Sequence, residues 1–89
     1  MMPKYRTMQD AVTEFQKAFG RPTDLKFSDI EISSDVANTF GLRQALIEEE
    51  FYELTKAMNE KNEQEIKKES ADLLYVLAGL FVDFGWDMQ

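Results

Sequence analysis

The chain has 89 residues, with ten Lys and Arg against 17 Asp and Glu, a formal charge of −7, and neither histidine nor cysteine. Those two absences exclude Ser-His-Asp and Cys-His catalysis, disulfides, zinc sites built on His or Cys, and Glu-x-x-His di-iron bundles; any chemistry falls to carboxylates, Lys, Arg, Tyr and metal-bound water. The negative balance repels nucleic acid and anionic membranes. A chain this short buries only about 60 to 65 per cent of its unfolded surface, so one small domain over residues 1–89, helped by self-association, is expected.

The opening MMPKYRTMQD lacks the apolar core of a signal peptide. The most apolar run, LLYVLAGLFV at 73–82, is bracketed by Asp72 and Asp83 and is shorter than the roughly 20 residues that cross a bilayer. A cysteine-free, leaderless pattern of this kind suits the cytoplasm.

In chain order, the first helix is read from Met8, Val12, Phe15 and Phe19, which recur at helical spacing with Ala11 and Ala18 on the same side. Gly20 followed by Arg21-Pro22 ends it, because glycine suits a left-handed cap and proline cannot continue a helix. Residues 21 to 37, RPTDLKFSDIEISSDVA, hold no sustained period and read as a long loop, pinned by Phe27, Ile30 and Ile32 in preference to forming a strand. A second helix is expected from Asn38 or Thr39 to Asn59, carrying Ile47, Phe51, Leu54 and Met58 on one face. A third runs from Glu63 to Phe84, stopped by Gly85. The short link between them predicts an antiparallel hairpin, so the fold class is all-α: an N-terminal helix plus a helical hairpin that forms a four-helix core on oligomerisation.

The acids decide the rest. At about 100° per residue, Leu46, Ala57, Leu54 and Ile47 all fall within about 60° of Glu50, placing that glutamate inside the apolar stripe. Glu53 sits at its edge, Glu49 borders it and Glu48 points to solvent. On the third helix Glu69 likewise lies among Val76, Leu80, Leu73 and Phe84, with Asp72 beside it at the i+3 position. From Ala71 to Phe84 only Asp72 and Asp83 are polar. A helix apolar all round is buried all round, and the side bearing Leu74, Ala78, Phe81 and Val82 is expected to meet another subunit.

An ionised carboxylate buried without a partner costs several kcal/mol, and neighbours at i and i+3 repel each other besides. Such acids are protonated, salt-bridged or metal-bound. Arg43 and Lys56 lie on or near the same face, yet two bases cannot neutralise four or five acids. If a metal is bound, all-oxygen ligands favour Mg²⁺ or Mn²⁺. An EF-hand reading of DIEISSDVANTF at 29–40 fails for want of the sixth-position Gly and final Glu.

Glu49-Glu50-Phe51-Tyr52-Glu53 spells E-E-x-x-E, and after 15 intervening residues Glu69-Ser70-Ala71-Asp72 spells E-x-x-D. With LRQALIEEEFYEL and KESADLLYVLAGLFVDFGWD around them, and MQDAVTEFQKAFGRP ahead, the chain resembles the all-α nucleotide pyrophosphohydrolases of the MazG type, whose relatives include phosphoribosyl-ATP pyrophosphohydrolase and the dimeric dUTPases. The resemblance implies that Glu50, Glu53, Glu69 and Asp72 bind Mg²⁺, with Mn²⁺ as a substitute. Glu49 would be an accessory ligand or the base that orients a water. The implied reaction is hydrolysis of a nucleoside triphosphate to the monophosphate and pyrophosphate by a homodimer or homotetramer. Arg43, Lys56 and Lys68 are candidate phosphate contacts, each set against the commoner role of a solvated surface charge. Phe27 and Tyr52 are candidates to stack on a base, set against packing or simple exposure. The rival expectation is a non-catalytic helical dimerisation or regulatory module whose acids form an ion-pair network. Similar proteins continue past F-G-x-D into a further helix carrying Asn and Lys; this chain reads Asp87-Met88-Gln89 and stops, which fits either a minimal member or one lacking that C-terminal helix.

Overall fold

A computed structural model describes residues 4–88, and the side chains of 8–88; the first three residues of the expected leaderless N-terminus lie outside it. Three helices are present, α1 (Lys4–Ala18), α2 (Ser34–Asn59) and α3 (Glu63–Asp83), with a short 3₁₀ turn at Phe27–Asp29 and no strand among the described residues. The fold is all-α. Both α1 and α2 pack on α3, which is therefore the central helix. No described helix is long and apolar enough to cross a membrane.

The helix ends follow from local chemistry. After α1, Arg21 N–H donates to Gln16 C=O and Gly20 N–H to Lys17 C=O, while Gly20 holds φ +68°. This is the Schellman arrangement, whose left-handed residue glycine fills without a Cβ penalty. Gly85 does the same after α3, where Trp86 N–H reaches Phe81 C=O. A Cβ on Gly85 would also stand 2.6 Å from Asp24 Oδ1. The α2 end repeats the pattern with Lys61 at φ 55°, a conformation that costs a non-glycine residue about 1 kcal/mol. Asn62 then caps α3 by accepting from Glu65 N–H, and the hairpin closes in three residues.

Helix α2 begins earlier than its periodicity suggests. Ser33 is extended and its hydroxyl accepts from Val36 N–H at 3.3 Å, an N-cap that converts Ser34 to Ala37 from expected loop into helix. The remaining loop is pinned, as its composition suggested, but by fewer residues. Leu25 N–H donates to Asp83 C=O at 2.8 Å, and the Phe27 ring meets Phe40, Phe84 and Trp86 at centroid distances of 5.7 to 6.0 Å. Ile32 takes no part, being 83% exposed.

The core joins Val12 of α1 to Ala78 and Val82 of α3, with Met8 and Met88 against them. Two expectations change here. Ala78 and Val82, assigned to a subunit interface, are covered by α1 of the same chain, leaving Leu74 exposed on that side. Phe15 and Phe19 share the helical period of Val12 yet remain exposed; the position that turns inward with Val12 is Gln16, one turn on. Periodicity identified the apolar stripe, whereas the position of α3 decided which edge of it is covered.

Candidate metal centre

Because α2 and α3 are antiparallel, Glu50 from the middle of α2 faces Glu69 and Asp72 in the first half of α3. One oxygen from each lies within 4.8 Å of the other two. Ligand distances of roughly 2.1 to 2.5 Å put opposed oxygens about 4.2 to 5 Å apart, so the cluster has the span of one divalent ion. Glu69 is buried and Glu50 and Asp72 are half-buried. Glu50 Oε2 is sealed from solvent and has no hydrogen-bond partner among the described residues. Its burial, then the Glu69 carboxyl beside it, then the charges of Asp72, Glu69 and Glu49, hold the Glu50 carboxyl above its ordinary value of 4.5.

Among the described residues, one cation attends the cluster. Lys68 Nζ donates to Glu69 Oε1 at 3.1 Å and Asp72 Oδ2 at 3.4 Å, and these bonds raise its own pKa. Its side chain is 62% exposed, so solvent screens much of the attraction, and one ammonium against three carboxylates leaves the site negative. An orphaned buried oxygen, an all-oxygen donor set and a residual negative charge are together what a hard divalent cation requires.

The other expected site residues fall as follows. Glu53 is half-buried one turn beyond Glu50, but its oxygens are not among those that gather. Glu49 is exposed beside Glu50, and its charge is felt there. Lys56 is exposed and makes no ion pair among the described residues. Arg43 needs correction. Read as a phosphate contact or a partner for the acids, it is 6% exposed and engaged elsewhere. Its Nε donates to Asp83 Oδ2 at 2.9 Å, and its Nη2 to Asp83 Oδ1 at 3.1 Å and to Gln16 Oε1 at 3.2 Å. Gln16 Nε2 closes the network on Asp83 Oδ1 at 2.9 Å and on Pro22 C=O. The guanidinium lies over Gly79, where a Cβ would stand 2.3 Å from Nη1. Phe27, considered for base stacking, is held in the aromatic cluster, and Tyr52 is exposed.

Arg43, one of the two bases considered as partners for the Glu50 cluster, pairs with Asp83 instead, and the ion pairs at the cluster come from Lys68. The missed residues were Asp83 and Gln16. Their signal was a lone aspartate in an otherwise apolar run and a glutamine in the inward row of α1, each of which demands a partner when buried.

An antiparallel hairpin whose facing helices bring Glu50, Glu69 and Asp72 together gives an all-α fold with a candidate cation site. Residues 12–89 match the family model described as phosphoribosyl-ATP pyrophosphohydrolase, and the chain belongs to that family, a branch of the MazG-like all-α pyrophosphohydrolases. The family is typically metal-dependent. An uncharacterized protein of Acanthamoeba polyphaga mimivirus is 40% identical over 83 residues, which cover 93% of this chain and 33% of the viral protein. The chain thus spans about a third of the length of that curated relative. No solved structure matches it.

Proposed function

We propose that the chain is a Mg²⁺-dependent nucleoside triphosphate pyrophosphohydrolase, cleaving between the α- and β-phosphates to give the monophosphate and pyrophosphate, in the manner of enzymes that clear non-standard nucleotides. The observation that carries the reading is the buried, partnerless Glu50 oxygen facing Glu69 and Asp72: a charge deficit of this kind on a family scaffold is best explained as one half of a cation site. Glu50, Glu69 and Asp72 hold the ion, and Glu53 supports it from the rim. When bound, a divalent cation would offset charge developing on the transferred group and lower the pKa of a water at the site.

The chain's own groups do the remainder. Glu49, exposed next to Glu50, orients the attacking water and accepts its proton. Lys68 leaves its carboxylates once they hold a cation and turns its ammonium to the phosphates, a movement its exposed side chain allows. Lys56 is a second phosphate contact from the opposite helix. Phe51, Met58 and Leu74 are 62%, 56% and 45% exposed in the single chain, which supports assembly into a dimer or tetramer.

The test is pyrophosphate release from the eight common ribo- and deoxyribonucleoside triphosphates, with and without Mg²⁺, on wild type and Glu50→Gln. Release that needs both Mg²⁺ and Glu50 is expected. Folded wild-type protein that neither releases pyrophosphate nor gains thermal stability from Mg²⁺ or Mn²⁺ would return the cluster to a structural role.

A further inference from the structure

A cleft of about 330 Å³ opens between α1 and the hairpin, within the size range of small-ligand sites. Phe15, Phe19 and Tyr75 form its aromatic wall, Leu46 its floor, and Arg21 and Arg43 its polar side. Its position follows from helix geometry. Leu46 precedes Glu50 by four residues on α2, and Tyr75 follows Asp72 by three on α3. In an antiparallel pair these steps run toward the same end, so the near edge of the cleft lies about one helical turn from the carboxylate cluster, about 4.5 to 6 Å along the axes.

Two further observations indicate what it holds. Phe15 and Tyr75 meet edge to face, with centroids 6.2 Å apart at 82°, and both keep ring surface open, at 49% and 41% exposure. Arg21 is half-buried, yet its side chain has no acid partner among the described residues of a chain carrying −7. Open aromatic faces bind the π-surface of any base, and an unpaired guanidinium offers donors to carbonyl and ring-nitrogen acceptors at a base edge.

We propose that this cleft receives the nucleobase of the triphosphate, its face on Tyr75, one edge against the Phe15 ring and another toward Arg21, while the sugar crosses the single turn to phosphates held at Glu50, Glu69 and Asp72. The inference rests on the metal-site reading above and adds the residues that recognise the nucleoside.

The experiment compares equilibrium binding, in Mg²⁺, of the α,β-methylene analogue of guanosine triphosphate and of inorganic tripolyphosphate, which has no base. Wild type is expected to prefer the nucleotide. Tyr75→Ala should weaken nucleotide binding about tenfold, the scale of one lost base–aromatic stack, and leave tripolyphosphate unchanged. Phe19→Ala, at a rim position that is 70% exposed, should act in the same direction with smaller effect. The proposal is overturned if both variants, at wild-type helicity, bind the nucleotide as wild type does, if they lose both ligands equally, or if they change only the mass of the assembly, which would assign the cleft to a second copy of the chain. Wild type that binds neither ligand removes the metal-site reading together with this one, whereas Mg²⁺-dependent binding of both with no effect of the variants removes this one alone.

Discussion

Two clusters of charge lie on the same pair of helices and are built on opposite principles. At one, Arg43, Asp83 and Gln16 answer one another, with both Asp83 oxygens receiving donors from the other two residues. Two turns along α2, Glu50 faces Glu69 and Asp72 with one exposed lysine to share and one oxygen with nothing. The satisfied cluster ties all three helices together. The unsatisfied one leaves a demand for positive charge, and that demand is what the proposed cation site rests on.

The largest way to break the contrast is to open the satisfied side. Asp83→Ala leaves a buried guanidinium uncompensated, a loss of about 3 to 5 kcal/mol, enough to unfold much of a small domain; urea denaturation should show it, and a cost below about 1 kcal/mol would mean the pair is not the clamp described. Gly79→Ala presses on the same arginine from beneath. Its Cβ would fall 2.3 Å from Arg43 Nη1, and displacing a close-packed buried group costs about 1 to 3 kcal/mol. An unaltered denaturation midpoint would show that the guanidinium has room to move.

The starved side should respond with the opposite sign. In metal-free protein at neutral pH, Glu50→Gln removes a disfavoured charge and should stabilise by about 1 kcal/mol, the low end for an unpaired buried acceptor because the residue is half-exposed and solvent screens it. The pH dependence follows from the raised folded-state value. Below 4.5, where the unfolded Glu50 is also protonated, the two proteins should be equally placed. As pH rises from there through the raised folded value, the wild type loses stability and the variant does not. Saturating Mg²⁺ should reverse the ranking, since an ion at a hundred times its Kd contributes about 2.7 kcal/mol to the wild type and little to the variant. Thermal melts across pH, with and without Mg²⁺, test both halves; a destabilising Glu50→Gln in the absence of metal would contradict the assignment.

Much of this was legible in the sequence. The hairpin, the Gly20 and Gly85 stops, and the placing of Glu50 and Glu69 within apolar arcs all follow from a 3.6-residue period and local capping rules, which act over a few residues. The early start of α2 was hidden because Ser33 and Ser34 read equally as turn and cap. The partner of Arg43 was hidden for a different reason: Asp83 lies 40 residues away, and no local rule selects one aspartate of α3 over another. Phe15 and Phe19 show the same limit, since their period was correct and their covering was decided by the docking of α1. At the candidate site, the resemblance implied Glu50, Glu53, Glu69 and Asp72 as a set; Glu50, Glu69 and Asp72 lie close to one another, while the positions of Glu53 and Lys68 depend on side-chain reach.

The three-residue turn at 60–62 also orders events in time. Short loops close at little entropic cost and local contacts form first, so α2 and α3 meet before the long loop allows α1 to dock. All three clustered carboxylates belong to that hairpin, whereas Gln16 arrives only with α1. On the proposed cation-site reading the hairpin carries the clustered ligands by itself, and a refolding rate that rises with Mg²⁺ is the outcome expected of that order.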